Sequence, residues 1–572
     1  MKPTLAQAVW SSRYRYLHDG KYVDGDLGAT FARVADAVAA VEHDAASWSA
    51  RYRTVLDGFR FLPGGRVLAG AGTDRQVTLF NCFVSGPLDD SIGGILDSLK
   101  ETAVTMQQGG GVGIDFSNLR PLGDVARRTG AIASGPVSFM RIWDSLCETM
   151  LATSSRRGAM IGTLRCDHPD IAEFVELKRD QHALQNFNLS VLVTDDFMDA
   201  VVNDRPWALR YPAGGSIHAE IGARELWQRI VASAHATGEP GLLFIDKINR
   251  ENNLYYCERI SATNPCGEVP LPPYGACNLG SINLPTLIEA PFLSHAALDP
   301  GRLADTVRVA VRFLDAVIDA SAFPLPQQEQ QARNTRRIGL GVTGLADALV
   351  MMGLHYDSEA GREFATQQLR RIRNAAYETS IDLAGEKGVF PLFDRDRYLE
   401  APFVRHLPAR LRDAVGKYGI RNSHLLAIAP AGSISLLAGN VSSGIEPIFA
   451  LEAERAIRGR DRQVERFHVR DFAYDQWLEL QGNTTELTGA FVTADQLSAQ
   501  AHLDMQASLQ PFVDGAISKT VNLAADATVD DVANAFQFAW SSPIKGCTVY
   551  RQGSRRGQVI SSCSDIDCGD PQ

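Results

Sequence analysis

The residues best suited to chemistry lie in one short segment, Asn264-Pro265-Cys266-Gly267-Glu268, and a further cysteine, Cys277, follows soon after it. In an extended segment, the amide of Asn264, the thiol of Cys266 and the carboxylate of Glu268 would share one face. The intervening proline and glycine disfavour a helix. The segment therefore predicts a hydrogen-atom or electron carrier beside a hydrogen-bonding amide and an acid/base group. A buried structural cysteine in a turn is the alternative, because cysteine is among the most buried residue types.

The elements that must position this segment follow from hydrophobic periodicity. Strands are predicted at 80–84, 187–193, 242–245, 424–429 and 547–550, and helices at 137–151, 223–236, 303–320, 360–384 and 529–540. This alternation is typical of a mainly parallel sheet with crossover helices, hence an α/β fold. Residues 1–75 predict a helical region, with one helix starting near Asp26 and continuing through Val41. Residues 554–572 are small and polar and predict a flexible tail.

Composition excludes several classes of protein. The 572 residues are 45% hydrophobic and 22% charged, which is ordinary for a soluble protein. A net charge of −11 argues against a protein that coats nucleic acid. There is no apolar run long enough for a membrane span and no signal-like start, so we expect a cytoplasmic protein without a membrane partner. Nine cysteines in such a compartment indicate catalytic or redox thiols rather than structural disulfides.

Two glycine-rich segments carry weak signals. Residues 109–113 allow either a close backbone approach or a tight turn. Residues 339–344, with Asp357 beyond them, match the dinucleotide-binding fingerprint. The preceding residues 333–338 do not predict a buried strand, and the following helix is short for that unit. A nicotinamide-binding site there is therefore a minor alternative.

A third small-residue loop carries a stronger signal. The predicted strand 424–429 is followed by residues 430–435, which open a predicted helix. Free N–H groups and the helix dipole at such a junction favour a phosphate group. The alternative is an ordinary helix start capped by Ser433 or Ser435.

Two cysteines, Cys563 and Cys568, lie in the predicted tail. They do not predict a zinc site, because zinc needs four ligands and no histidine follows His502. A thiol pair on a tether is suited to dithiol–disulfide exchange with another pair. Two incidental tail cysteines are the alternative interpretation.

Taken together, the chain resembles the adenosylcobalamin-dependent (class II) ribonucleotide reductases over nearly its whole length. The matching stretches occur in the same order, at 81–84, 109–116, 134–139, 156–159, 168–171, 264–283, 337–349, 430–447 and 518–554. The resemblance implies a ten-stranded α/β barrel of two parallel five-stranded halves, with a central finger loop and an N-terminal helical region. It divides the chain into a helical region at 1–75, a catalytic barrel at 76–553 and a redox tail at 554–572.

The resemblance also implies a role for each catalytic residue. Cys266 would be the thiyl radical that removes hydrogen from the ribose 3′-carbon. Glu268 would be the base at the 3′-hydroxyl, and Asn264 would hydrogen-bond there. Cys82 and Cys277 would reduce the 2′-position and become a disulfide.

Binding roles follow from the same resemblance. A deoxynucleotide specificity effector is expected at Asp89 or Asp90, and a thioredoxin- or glutaredoxin-type protein would supply electrons through Cys563 and Cys568. We also expect diphosphate substrates, a homodimer, and no overall inhibition by dATP, since the resemblance begins directly at the helical region. The residues expected at the substrate and its phosphates are Asn81, Gly111, Pro430, Ala431, Gly432, Ser433 and Ile434.

The resemblance and elimination together indicate adenosylcobalamin. Class I large subunits use two adjacent tyrosines, but here Tyr550 is followed by Arg551. The anaerobic class lacks the finger-loop glutamate, which is present here as Glu268, and no glycyl-radical motif occurs. No metal site is predicted, and the cobalamin contacts are unassigned. The remaining alternatives are a large subunit with an unusual relay, a nicotinamide-dependent dehydrogenase at 339–344, and a non-enzymatic nucleotide-binding or redox-sensing protein.

Overall fold

The computed structural model describes residues 3–125, 130–151, 160–180, 182–458, 463–482, 486–554 and 560–562. Its α-helices are α1 Leu5–Val9, α2 Leu27–Ala39, α3 Ala45–Asp57, α4 Gly65–Gly70, α5 Ile92–Gln107, α6 Gly135–Leu151, α7 Ile171–Glu176, α8 Asp195–Val202, α9 Ala223–Thr237, α10 Ile245–Arg250, α11 Pro300–Ala320, α12 Pro326–Thr335, α13 Leu345–Met351, α14 Glu359–Lys387, α15 Arg395–Glu400, α16 Pro402–Arg405, α17 Ala409–Tyr418, α18 Gly432–Leu437, α19 Phe472–Gln481, α20 Ala499–Leu509 and α21 Val529–Ser541. Its strands are β1 Leu17–His18, β2 Lys21–Tyr22, β3 Phe61–Pro63, β4 Cys82–Val84, β5 Gly111–Asp115, β6 Met160–Arg165, β7 Phe187–Val193, β8 Pro206–Tyr211, β9 Ser216–Gly222, β10 Gly241–Phe244, β11 Ala262–Thr263, β12 Pro270–Leu271, β13 Ala276–Asn283, β14 Ile288–Glu289, β15 Ala297–Leu298, β16 Ile338–Thr343, β17 Glu452–Arg458, β18 Val464–Arg470, β19 Thr520–Leu523, β20 Gly546–Arg551 and β21 Ile560–Ser562. The predicted helices are all confirmed, as is each predicted strand except 424–429.

The central sheet consists of two parallel halves that meet antiparallel. β4, β5, β6, β7 and β10 run parallel to one another. In the other half, β13 is parallel to β16, and β19 is parallel to β20. The halves meet where β4 pairs with β13 and where β10 pairs with β20, both antiparallel. The predicted α/β class with two parallel halves is therefore confirmed.

Residues 424–429 link the two ends of this sheet. Parallel bridges join Leu340 to Leu426 and Ile428 to Ile517, so the segment lies between β16 and the approach to β19. It makes isolated bridges instead of the predicted strand. The reason is a contact distant in the chain, because the Asp514 carboxylate accepts hydrogen bonds from the N–H groups of Leu425 and Leu426, at 2.9 and 2.8 Å, in place of a second ladder.

The N-terminal region is mostly helical, with two differences from expectation. The Asp26 carboxylate caps α2 by accepting from the Ala29 N–H at 2.8 Å, as predicted, but the helix ends at Ala39 and the Val41 side chain is exposed. In addition, β3 leaves this region to pair antiparallel with β13, with Leu62 opposite Ser281. The helical region is thereby joined directly to the central sheet.

Of the fingerprint glycines, Gly339 and Gly341 lie in the buried strand β16, and Gly344 lies just before α13 with a φ of +71°. A Cβ on Gly341 would lie 2.5 Å from the Ala427 carbonyl oxygen, so glycine is needed for packing between neighbouring strands. This accounts for the motif without a dinucleotide. Among the described residues, no helix is both long and apolar enough to cross a membrane.

Candidate active site

The segment 264–269 forms the tip of a hairpin between β11 and β12, which we call the finger loop. It is held from three positions around the central sheet. A Cβ on Gly113 of β5 would lie 1.8 Å from the Thr263 carbonyl oxygen, so only glycine allows this approach. The Asn188 side chain on β7 donates to the Pro265 carbonyl at 3.1 Å, and the Ala516 N–H donates to the Glu268 carbonyl at 2.9 Å. Because these contacts come from both halves of the sheet, the finger loop lies within it.

The finger loop is a turn, so the prediction of an extended segment is wrong. The Gly267 N–H donates to the Asn264 carbonyl at 3.0 Å, and Gly267 has a φ of +86°, which favours glycine. The Asn264 amide oxygen accepts from the Val269 N–H at 2.9 Å and so closes the loop. Its amide nitrogen donates to the Cys82 sulfur at 3.2 Å. The turn, rather than an extended face, brings Asn264 and Glu268 to the same thiol.

Cys82 and Cys277 lie directly opposite each other on β4 and β13. Residues paired in this way have Cα atoms about 4.5–5.5 Å apart, within the range of about 4.4–6.8 Å that a disulfide spans. Both thiols are free and buried, and Gly111 flanks Cys82 on the other neighbouring strand. The Cys82 thiol is also 3.9 Å from the Glu268 carboxylate. The predicted thiol pair is thus beside the finger loop.

The electrostatics of the site favour neutral thiols. Burial raises the pKa of Cys82, Cys266 and Cys277 above the ordinary thiol range. A thiolate is the nucleophilic form of cysteine, so these groups are poorly suited to nucleophilic catalysis. A neutral thiol can instead give up a hydrogen atom. The arrangement therefore fits radical or hydrogen-atom chemistry.

Glu268 is a carboxylic acid poised near neutrality. Burial raises its pKa to about 7, although hydrogen bonds from Asn264 and Cys82 oppose the shift. Its Oε2 atom is buried and has no hydrogen-bond partner among the described residues. A buried unpaired carboxylate oxygen costs free energy unless a ligand hydroxyl meets it. Both properties suit a group that exchanges protons with a bound substrate.

Cys266 opens into a cavity of about 290 Å³ among the strands of the central sheet. The Cys266 side chain is exposed because one face of it borders this cavity. The protein atoms around its other faces, and the nearby Glu268, still raise the pKa of its thiol. A second cavity, of about 610 Å³, shares Thr520 and Thr548 with the first. Among the described residues, no group of three or more His, Cys, Asp or Glu side chains could hold a metal ion. The larger cavity is the space near Cys266 where an organic cofactor could bind.

Two of the residues predicted to bind the substrate, Pro430 and Gly432, line the two cavities. The Asn81 side-chain oxygen is buried without a partner among the described residues, and Pro430 lines the Cys266 cavity. The Ala431 N–H donates to the Ser443 hydroxyl at 2.8 Å, and α18 begins at Gly432. No side chain caps α18, so the alternative interpretation of Ser433 or Ser435 as a cap is wrong. Ser433 and the nearly buried Ile434 lie in its first turn.

The two residues predicted for the effector site do not line the cavities beside Cys266. Asp90 pairs with Arg120 at 2.7 Å and accepts from the Tyr211 hydroxyl at 3.0 Å, whereas Asp89 accepts from the Ser91 hydroxyl at 2.5 Å. Both lie just before α5. The tail cysteines Cys563 and Cys568, and the stretch 156–159, lie outside the described residues.

Three residues of the site carry no sequence motif. Asn188 holds the finger loop, and its only signal is a polar side chain within the otherwise largely apolar strand Phe187–Val193. Glu239 lines the Cys266 cavity and accepts from the Leu189 N–H at 3.0 Å. Arg455 lines the larger cavity from a strand that the sequence did not predict. Their positions depend on tertiary structure alone.

The raised pKa of Glu268 predicts a stability cost that depends on pH. The Glu268 carboxyl group binds its proton more tightly in the folded state than in the unfolded state. Ionisation of Glu268 therefore lowers the free energy of unfolding little near pH 4.5 and by its full amount above pH 7. We expect Glu268→Gln to raise the free energy of unfolding by about 2–4 kcal/mol at pH 8 and by less than about 1 kcal/mol at pH 5. Urea unfolding at the two pH values measures this. The exposed Glu465→Gln control should change stability little, and equal effects of Glu268→Gln at both pH values would contradict the assignment.

Comparison with known proteins gives consistent matches. A family model for the ribonucleotide reductase barrel domain matches residues 80–550, and one for the ribonucleotide reductase all-alpha domain matches residues 2–76. The chain is 44% identical to a vitamin B12-dependent ribonucleoside-diphosphate reductase of Mycobacterium tuberculosis, over 99% of this chain and 81% of that protein. It is 39% identical to a protein of the same description from Thermoplasma acidophilum, over 94% of this chain and 70% of that protein.

Proposed function

Because the chain belongs to the ribonucleotide reductase family, we propose that it reduces ribonucleoside diphosphates to 2′-deoxyribonucleotides with adenosylcobalamin as cofactor. The observation that carries this proposal is the assembly of three neutral thiols, an amide and a carboxyl group around one loop inside the sheet. The relatives at 44% and 39% identity are named as vitamin B12-dependent diphosphate reductases, which supports both the cofactor and the substrate class.

The roles proposed for the residues follow from their positions. Cys266, at the tip of the finger loop, removes the hydrogen atom from the ribose 3′-carbon. The unpaired Oε2 of Glu268 accepts the proton of the 3′-hydroxyl and later returns it, while the 2′-hydroxyl takes a proton from the thiol pair and leaves as water. Cys82 and Cys277 supply two electrons and two protons in forming a disulfide, and Cys266 then receives its hydrogen atom back. Enclosure within the sheet excludes solvent from the radical.

The lining of the larger cavity matches the chemistry of part of the proposed cofactor. Cobalamin is a large ligand with an apolar ring, many amides and one phosphodiester. The cavity combines apolar side chains with hydroxyl and amide groups and one arginine, and it adjoins the cavity of Cys266. When bound, adenosylcobalamin supplies reversible radical generation, and the chain supplies position and exclusion of solvent.

Arg551, which stands in place of a second tyrosine, donates to the carbonyls of His235 and Ala525.

Electron paramagnetic resonance tests the proposed function. Protein frozen within milliseconds of mixing with adenosylcobalamin, a nucleoside diphosphate and a deoxynucleotide effector should give a radical signal coupled to paramagnetic cobalt. Deoxynucleotide formation should require the cobalamin and a dithiol. Turnover with an iron or manganese radical subunit, and none with the cobalamin, would contradict the proposal.

The pKa of Glu268 predicts the pH dependence of activity. A base at the 3′-hydroxyl must be ionised, and the pKa of Glu268 is about 7. We therefore expect kcat/KM to fall about tenfold per pH unit below pH 7. Glu268→Gln should lower kcat/KM about 10²- to 10⁴-fold at pH 8 and should remove this acidic limb. A variant that keeps the same limb would assign the titration to another group.

We propose that the tail cysteines pass electrons from a thioredoxin-type protein to Cys82 and Cys277. A chain truncated before Cys563 should keep most of its turnover with a small dithiol, which can diffuse to the site. With thioredoxin and its reductase, turnover should fall at least about tenfold, as measured by deoxynucleotide formation. The double variant Cys563→Ser/Cys568→Ser should behave in the same way, because it retains the length of the tail. Equal losses with both reductants would contradict a shuttle.

We also propose a homodimer with an effector site near Asp89 and Asp90. The support is an apolar surface on α5 beside these residues, where Ile92 and Leu96 are 63% and 52% exposed. Exposed apolar side chains on one helix are typical of a protein interface. Sedimentation with and without deoxynucleotides measures this association.

A further inference from the structure

The larger cavity contains an arginine that forms no ion pair with any described residue. Arg455 projects from β17 and lines this cavity, and its Nε atom is buried with no hydrogen-bond partner among the described residues. No described carboxylate forms an ion pair with it. Burial also lowers its pKa, since the charged form is desolvated. A buried cation without a counter-charge is costly, so the site favours an anionic ligand.

The acidic groups that line the same cavity do not neutralise Arg455. Glu446 accepts from Lys519 at 2.6 Å and from the Thr520 N–H at 2.8 Å. Asp471 accepts from the N–H group of Ala473, and burial next to a second carboxylate raises its pKa, so it favours the neutral acid. Among the described residues, the positive charge of Arg455 in this cavity is therefore not neutralised.

Two carboxylates on the hairpin of β17 and β18 pair with other arginines, and the third, Glu465, is exposed and forms no ion pair with Arg455. Glu454 pairs with Arg466 at 3.3 Å, and Glu452 pairs with Arg470 at 3.0 Å. The other polar side chains lining the cavity carry hydroxyls or amides, on Ser435, Asn440, Ser442, Ser443, Thr520, Asn522, Thr548 and Tyr550. These neutral groups can hydrogen-bond to a ligand, and Arg455 is the one cation among the described residues that line the cavity.

We propose that Arg455 binds a phosphate group in the larger cavity. The planar guanidinium offers paired donors that match phosphate oxygens, and the contact would offset the cost of burying its charge. The inference rests on the proposed function, which supplies two ligands with this chemistry. One is the phosphodiester in the nucleotide tail of cobalamin, and the other is the diphosphate of the substrate, whose expected loop contributes Gly432 to the cavity.

Binding measurements on three variants test this inference without catalysis. Arg455→Met removes the donors, Arg455→Lys keeps the charge, and Arg466→Met is the control from an exposed position on the same hairpin. Isothermal titration would measure the Kd of hydroxocobalamin, of cobinamide and of CDP. Cobinamide has the corrin ring but lacks the nucleotide tail and its phosphodiester, so it isolates the contribution of that group.

We expect Arg455→Met to weaken one phosphate-bearing ligand by about 10- to 100-fold, with partial recovery in Arg455→Lys and no change in Arg466→Met. Weaker binding of hydroxocobalamin with unchanged binding of cobinamide would show that Arg455 contacts the phosphodiester of the cofactor. Weaker binding of CDP alone would show that it contacts the diphosphate of the substrate. Equal losses for hydroxocobalamin and cobinamide, or no loss for any ligand, would overturn the inference. Wild-type protein that binds neither cobalamin nor CDP would overturn the proposed function as well, so the two failures are distinguishable.

Discussion

Cys266→Ser is expected to lose deoxynucleotide formation by at least about 10⁴-fold, the scale on which removal of the reacting group acts in enzymes. A serine hydroxyl has nearly the size of a thiol, but its O–H bond is much stronger and does not yield a radical under the same conditions. The cavity next to the loop should still accept ligands. Radioactive product assays under anaerobic conditions with adenosylcobalamin, dithiol and effector measure the loss.

The control for this prediction is the stability of the Cys266→Ser variant. No hydrogen bond by the Cys266 sulfur occurs among the described residues, and the sulfur faces a cavity, so Cys266→Ser should change the free energy of unfolding by less than about 1 kcal/mol. Cys257→Ser removes an exposed thiol outside the site and should keep turnover near that of the wild type. If Cys266→Ser retained turnover within tenfold, another group would have to carry the hydrogen atom.

The sequence was most informative where periodicity is local. The apolar faces of α9, α11 and α14 and the apolar strand β7 repeat with the spacing of their own element, so each was predictable within a few residues. The chemical identity of the finger loop was also readable, because Asn264, Cys266 and Glu268 are close in the chain. Its conformation was not, since alternation of residue types is compatible with both a strand and a turn.

Features that depend on distant contacts could not be predicted from local sequence patterns. Residues 424–429 have the composition of a strand, but the carboxylate of Asp514 replaces part of the ladder. The opposition of Cys82 and Cys277 is a matter of register between two strands, which the resemblance implied but no local pattern reveals. The placement of the Arg455 side chain in a cavity likewise depends on the hairpin of β17 and β18 lying next to the central sheet.

Because Cys82 and Cys277 lie opposite each other, we expect the loss of one of these sulfurs to have a large effect on turnover. Reduction at the 2′-carbon needs two electrons, and the opposed sulfurs can supply both by forming one bond. We therefore expect Cys277→Ser to lose multiple turnover with a dithiol by at least about 10⁴-fold. Protein truncated before Cys563, which lacks the tail thiols, should form about one deoxynucleotide per site without reductant and then yield a disulfide-linked peptide pair containing Cys82 and Cys277.

The control for this prediction is Cys547→Ser, which also removes a buried thiol and lines the Cys266 cavity, but Cys547 lies opposite Leu242 rather than another thiol. It should retain most turnover, since the electron pair does not depend on it. Mass spectrometry of digested protein after a single turnover identifies the oxidised pair. A bond from Cys82 to a cysteine other than Cys277, or sustained turnover of Cys277→Ser, would contradict the assignment. Burial keeps both thiols neutral before the reaction, so they carry the protons that leave with the electrons.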